Sequence, residues 1–159
     1  MPKLYLTIIF FISVLGVNAQ STLHSGNIND VQLRFIKENY NWHTEGVIII
    51  NFLQPKSNCH YDAYTNLKVA DPWWTEFYSK LNLDGVANRF VYSDRNAARK
   101  IIDDTIYLAD TDKFLLNTFF SKKKFCHGVI VINRKGEFQQ KSSEYSGEEI
   151  RKFLEILNK

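Results

Sequence analysis

The sequence predicts one α/β domain built on a central mixed β-sheet flanked by helices, and three features lead to that expectation. The first is Val47–Phe52 (VIIINF), a run of β-branched and aromatic residues with almost no polar relief. Such a run fits a strand covered on both faces, as in the middle of a parallel or mixed sheet. The second is the alternation of strand-like and helix-like stretches after it, which calls for crossover connections and parallel neighbours. The third is the tight turn Arg134-Lys135-Gly136 between two strand-like runs. It joins antiparallel strands and puts a glycine where positive φ is needed.

The chain has 159 residues, 45% hydrophobic, 23% charged and 14% aromatic, enough for one domain with a proper core. Its net charge of +3 is too small to imply a nucleic-acid surface, so no nucleic-acid partner is expected. At the N-terminus, Met1-Pro2-Lys3 is followed by an apolar run from Leu4 to Val17. Val17-Asn18-Ala19 then supplies small residues at positions −3 and −1 of a cleavage site. Residues 1–19 therefore read as a secretory signal peptide cut before Gln20. The apolar run is short for a bilayer, so no membrane span is expected after cleavage. A secreted or periplasmic location follows, and with it an oxidising environment. Only Cys59 and Cys126 occur in the chain, which leaves one intramolecular pairing.

Residues 20–29 (QSTLHSGNIN) are polar and rich in turn formers, and read as a flexible lead-in to a domain over residues 30–159. Asp30 is expected to cap a helix to about Tyr40, with Leu33, Ile36 and Tyr40 on one face. The strand from Val47 follows. The loop Gln54-Pro55-Lys56-Ser57-Asn58 leads to a helix from His60 to about Val69. Asp71-Pro72 is expected to open the next helix, with Trp74, Phe77, Tyr78 and Leu81 as its buried stripe. Asn88–Tyr92 reads as a strand. Asp94 should cap a short helix that turns Ala97, Ala98, Ile101 and Ile102 inward. Thr105–Ala109 reads as a short strand. Asp110 or Thr111 should then cap a helix with Phe114, Leu115, Thr118 and Phe119 on its apolar face. Gly128–Asn133 and Glu137–Lys141 form the hairpin. Ser146-Gly147-Glu148-Glu149 is a capping box for a last helix that buries Ile150, Phe153, Leu154 and Leu157.

Cys59 falls where a helix should begin, after a buried strand. Helix-terminal N–H groups and the helix dipole favour the thiolate, the reactive form. A lone cysteine is also a common apolar filler. Here the polar neighbours Ser57, Asn58, His60 and Asp62 argue against burial.

The strand ending in Asn51-Phe52, the Cys59 loop, Leu108-Ala109-Asp110 before a short helix, and Ile130–Gly136 (IVINRKG) together carry a resemblance. The layout resembles the thioredoxin-like superfamily, most of all its secreted thiol–disulfide oxidoreductase and redoxin members, over about residues 30–159. The resemblance implies a three-layer fold with a central mixed sheet. The chain departs from that family's Cys-x-x-Cys motif: counted from Cys59 it reads Cys59-His60-Tyr61-Asp62, with Asp62 in place of the second cysteine, whereas an ungapped count from Phe52 puts Ser57-Asn58-Cys59-His60 on the motif. The family's cis-proline is also missing, since alignment on Gly136 puts His127 there, with Cys126 just before it.

The resemblance implies that Cys59-His60 and Cys126-His127 are neighbours in space, and three readings stay open. In the first, Cys59 is the nucleophile of a thiol–disulfide exchange reaction, favoured by the helix start and by Lys122–Lys124. Cys126 resolves the mixed disulfide, and His60, His127 or Asp62 moves protons. A thiol- or disulfide-bearing protein is then the partner, and no cofactor is implied. In the second, the two cysteines form a structural disulfide worth roughly 4 kcal/mol in the chain-entropy model. In the third, the two thiolates and two imidazoles bind copper(I) or zinc, although adjacent residues in extended chain point apart. His24 and His43 have no partner motif. A peroxiredoxin-like threonine is absent, because Lys56 stands three residues before Cys59. No glycine-rich phosphate motif occurs.

Overall fold

The structure, a computed structural model, describes residues 23–54, 67–120 and 125–159. Its frame is a six-stranded sheet of β1 (Leu23–Asn27), β2 (Ile48–Leu53), β3 (Ala87–Tyr92), β4 (Tyr107–Ala109), β5 (His127–Ile132) and β6 (Glu137–Lys141). The strands lie in the order β1-β6-β5-β2-β3-β4. β2, β3 and β4 run parallel, while β5 is antiparallel to β2, and β6 is antiparallel to both β5 and β1. Helices α1 (Asp30–Asn39), α2 (Leu67–Ser79) and α3 (Gly147–Leu157) complete the domain.

β2 is the centre because both of its faces are apolar. Every residue from Ile48 to Leu53 is buried, and each large apolar side chain buried there contributes about 1.5–3 kcal/mol. Strand alternation sorts them. Ile49 and Leu53 pack with Val129 and Val131 against Trp74 and Tyr78 of α2 and Ile150 and Phe153 of α3. Ile48, Ile50 and Phe52 pack with Ile130 and Ile132 against Leu33 and Ile36 of α1 and Leu115 and Phe120. The result is a three-layer domain, helices on both faces of a mixed sheet.

Two caps form as the sequence suggests, one of them displaced. Ser146 and Glu149 make the reciprocal capping box at α3. At α1 the cap is Asn29, which pairs with Gln32 in a second capping box, and Asp30 is the first helical residue. The hairpin turn closes through Asn133, whose Oδ1 accepts from the N–H groups of Lys135 and Glu137. Gly136 there has φ +86°, and an added Cβ would meet the Ile28 carbonyl at 2.8 Å.

Four expectations are corrected. Residues 23–27, read as part of a flexible lead-in, form edge strand β1, paired from Leu23 opposite Lys141 to Asn27 opposite Glu137. All five are exposed, so backbone pairing makes this strand and no apolar alternation announces it. The helix expected to start at Asp71-Pro72 already includes residue 67 and passes through Pro72. A proline inside a helix costs about 3 kcal/mol, here opposed by the packing of Trp74 and Tyr78, which are 4% and 6% exposed. The expected helix after Asp94 is a run of turns: Asp94 does accept from the Ala97 N–H, and Ala98 is buried. So short a segment does not repay helix nucleation.

The fourth is the helix after Asp110. Residues Thr111–Lys113 form a 3₁₀ turn with positive φ at Asp112 and Lys113, and Leu116–Phe120 is π-helical. The wider turn brings residues five apart onto one face, so Leu115 and Phe120 are buried and Thr118 is exposed.

Candidate functional site

The central strand ends beside the residues that the resemblance singles out. β2 and β5 pair Leu53 with His127 and Phe52 with Gly128. One step further, the Gln54 N–H donates to the Cys126 carbonyl at 2.7 Å. Cys126 and His127 therefore sit at the carboxyl end of β2. Cys126 is half-buried and held in a disulfide. Cys59, His60, Asp62, Lys122, Lys123 and Lys124 lie outside the described residues, as does the helix expected from His60 as far as residue 66.

His127 is the first residue of β5, and alternation turns it to the face shared with α2 and α3. Its ring lies 5.8 Å from Trp74 at 88° and 5.8 Å from Tyr145 at 81°. Trp74 and Tyr145 are themselves near parallel at 5.7 Å. The imidazole thus meets two aromatic rings, both edge-to-face with it, the arrangement that ring quadrupoles favour. Trp73, beside Trp74 on α2, is 54% exposed and stacks on Phe77. Gly128, next after His127, is closely covered: an added Cβ would come within 2.7 Å of the Lys141 carbonyl and 2.9 Å of the Phe120 ring.

Beneath the aromatic group lies a buried polar hub that the sequence reading missed. Asn51 is fully buried in the middle of β2. Its Oδ1 accepts hydrogen bonds from the hydroxyls of Tyr78 and Tyr145, the latter at 2.6 Å. Its Nδ2 donates to Asn88 Oδ1 at 2.8 Å and to the Arg89 carbonyl at 2.9 Å. Burial pushes the Tyr78 phenol well above its usual range, so it remains a donor. A signal was available: one amide inside VIIINF, on the face of Ile49 and Leu53, must find buried partners. The opposite face has its own polar pair, in which Tyr40 donates to Asp110.

Among the described residues no group of three or more His, Cys, Asp or Glu side chains is placed to hold a metal ion. No helix among them is long and apolar enough to cross a membrane. A shallow cleft lined by Glu45, Val47, Asn133, Arg134 and Leu157 opens at the other end of β2 from Cys126.

No family model matches the chain, and no curated protein matches it. Among solved structures, it is similar to the thioredoxin domain of a thiol-disulfide oxidoreductase from Bacteroides vulgatus. The two share 16% identity with a TM-score of 0.43 over 72% of this chain and 82% of that one. Within the sheet itself, the parallel pair β2 and β3 flanks α2 in the chain, and the antiparallel β5–β6 hairpin adds on the other side of β2, before α3. With helices on both faces of that sheet, this is the three-layer, mixed-sheet arrangement that the thioredoxin-like resemblance of the sequence implies.

Proposed function

We propose that this is an exported protein that exchanges thiols and disulfides through Cys59 and Cys126. The observation that carries the proposal is the disulfide at Cys126, at the carboxyl end of the central strand and beside His127. Since the chain has two cysteines, Cys59 is the only partner available within it. In the reduced protein the Cys59 thiolate attacks a substrate disulfide, forming a mixed disulfide and releasing one substrate thiolate. Cys126 then attacks the Cys59 sulfur, closes the internal disulfide and releases the second substrate thiolate. Two electrons pass from the cysteine pair to the substrate, and the two protons lost by the cysteines end on the substrate thiols. His127 and Asp62 are the assigned proton carriers. Export rests on residues 1–19, and N-terminal sequencing of the secreted protein should begin at Gln20.

The same disulfide also supports a second reading, a permanent staple with no exchange. The reduction potential separates the two. Thiol counting by mass spectrometry across graded redox buffers should open the bond in the range of exchange catalysts, between about −120 and −270 mV. A bond that opens only below about −300 mV would establish the staple and remove the exchange reading.

A further inference from the structure

We propose that Asn51 is a positioning residue that sets the aromatic clamp on His127; the part concerning reaction rate rests on the exchange reading above. A carboxamide can accept two hydrogen bonds and donate two, and Asn51 uses all four. Its donor side is fixed to β3, through Asn88 and the Arg89 carbonyl. Its acceptor side ties down two tyrosines from different parts of the chain. Tyr78 belongs to α2 and stacks beneath Trp74 at 6.3 Å. Tyr145 precedes α3 and faces His127 directly. The two rings against His127, Trp74 on α2 and Tyr145 before α3, thus come from different parts of the chain. The Asn51 oxygen gives them a common reference, anchored to the central strand. An apolar residue of similar size would fill the space and leave both hydroxyls buried without this acceptor. A network in which every member is satisfied fixes one arrangement of its parts. Here one member of that arrangement, Tyr145, lies against the imidazole next to Cys126, and another, Tyr78, stacks on Trp74, the second ring against it.

The test uses the full mature chain with Tyr145→Phe, which keeps the ring and deletes only the hydroxyl, and Asn51→Ala, which removes the hub. Two signals are read beside the melting temperature. One is the NMR resonance of the His127 Cε1 proton, assigned with His127→Gln and displaced by the ring currents of Trp74 and Tyr145. The other is the second-order rate of exchange with oxidised glutathione. Both variants should move the resonance, and Tyr145→Phe should slow exchange about tenfold, as a small misplacement of a reacting group does. A resonance that stays in place while the melting temperature falls would reduce Asn51 to a core contact and overturn the proposal. If Asn51→Ala does not fold, Tyr145→Phe decides alone. If the unmodified protein shows no exchange, the exchange reading fails, while the resonance still decides whether Asn51 sets the clamp.

Discussion

The Tyr40 hydroxyl donates to Asp110 Oδ1 at 2.9 Å across 70 positions of sequence, joining the end of α1 to the segment after β4. Asp110 also accepts from the N–H groups of Leu115 and Leu116, both at 2.9 Å. Burial nonetheless pushes its carboxyl above the usual range against these donors. For an acid whose folded value is raised, the favourable contribution is complete below the unfolded value, about 3.9. It is lost as pH rises through the folded value. The melting temperature of the native chain should therefore fall relative to Asp110→Asn as pH rises from about 4 to 7. Thermal unfolding across that range checks it, and a constant gap would refute the assigned direction.

Glu149 carries the opposite slope. Partial burial pushes its carboxyl up, but the Lys141 ammonium at 2.5 Å and the Ser146 N–H at 2.9 Å outweigh this and hold it below the usual range. Its contribution is present above the unfolded value, about 4.3, and is lost as pH falls through the lower folded value. Glu149→Gln should be less stable than the native chain at pH 7, and the difference should shrink below about pH 4. Ser146→Ala, which removes the other half of the capping box, should cost about 1 kcal/mol. Urea unfolding at the two pH values measures both.

Phe52 of β2 and Phe120 stack at 4.6 Å, 10° from parallel, and both are essentially unexposed. Phe120→Ala should cost about 3–5 kcal/mol through lost contacts and a cavity under the sheet. Chemical denaturation checks it, and a loss under about 1 kcal/mol would mean that the site collapses around the deletion.

The sequence made legible those parts of the fold whose residues carry their own burial pattern. Val47–Phe52 could hardly be anything but a central strand, and α3 has both a capping box and an apolar stripe. The hairpin around Gly136 is fixed by its turn. What escaped was set by partners distant in sequence. β1 has a polar sequence and exists because β6 offers a free edge. α2 passes through Pro72 because Trp74 and Tyr78 have a sheet to pack on. The face chosen for residues 114–119 assumed a 3.6-residue period, which the π-helical turn does not keep. For the candidate site, Cys126 and His127 fall at the end of β2, while Cys59 and His60, which the resemblance makes their neighbours, lie outside the described residues. The need for Asn51 to be paired was readable, but its partners Tyr78, Asn88, Arg89 and Tyr145 were not.

The alternation along β2 has a consequence for how this protein tolerates change. Tyr40 pairs with Asp110 on one face of the strand, whereas on the other Asn51 holds Tyr78 and Tyr145, and Tyr145 lies against His127. The Tyr40–Asp110 pair and the Asn51 hub have no hydrogen-bond partner in common among the described residues, so the energetic costs of lesions in the two should simply add. Lesions within one face share partners and should show epistasis. Changes at Tyr40 and Asp110 should therefore alter stability while the rings around His127 stay as they are, so the robustness of the domain and the packing of that imidazole can vary separately.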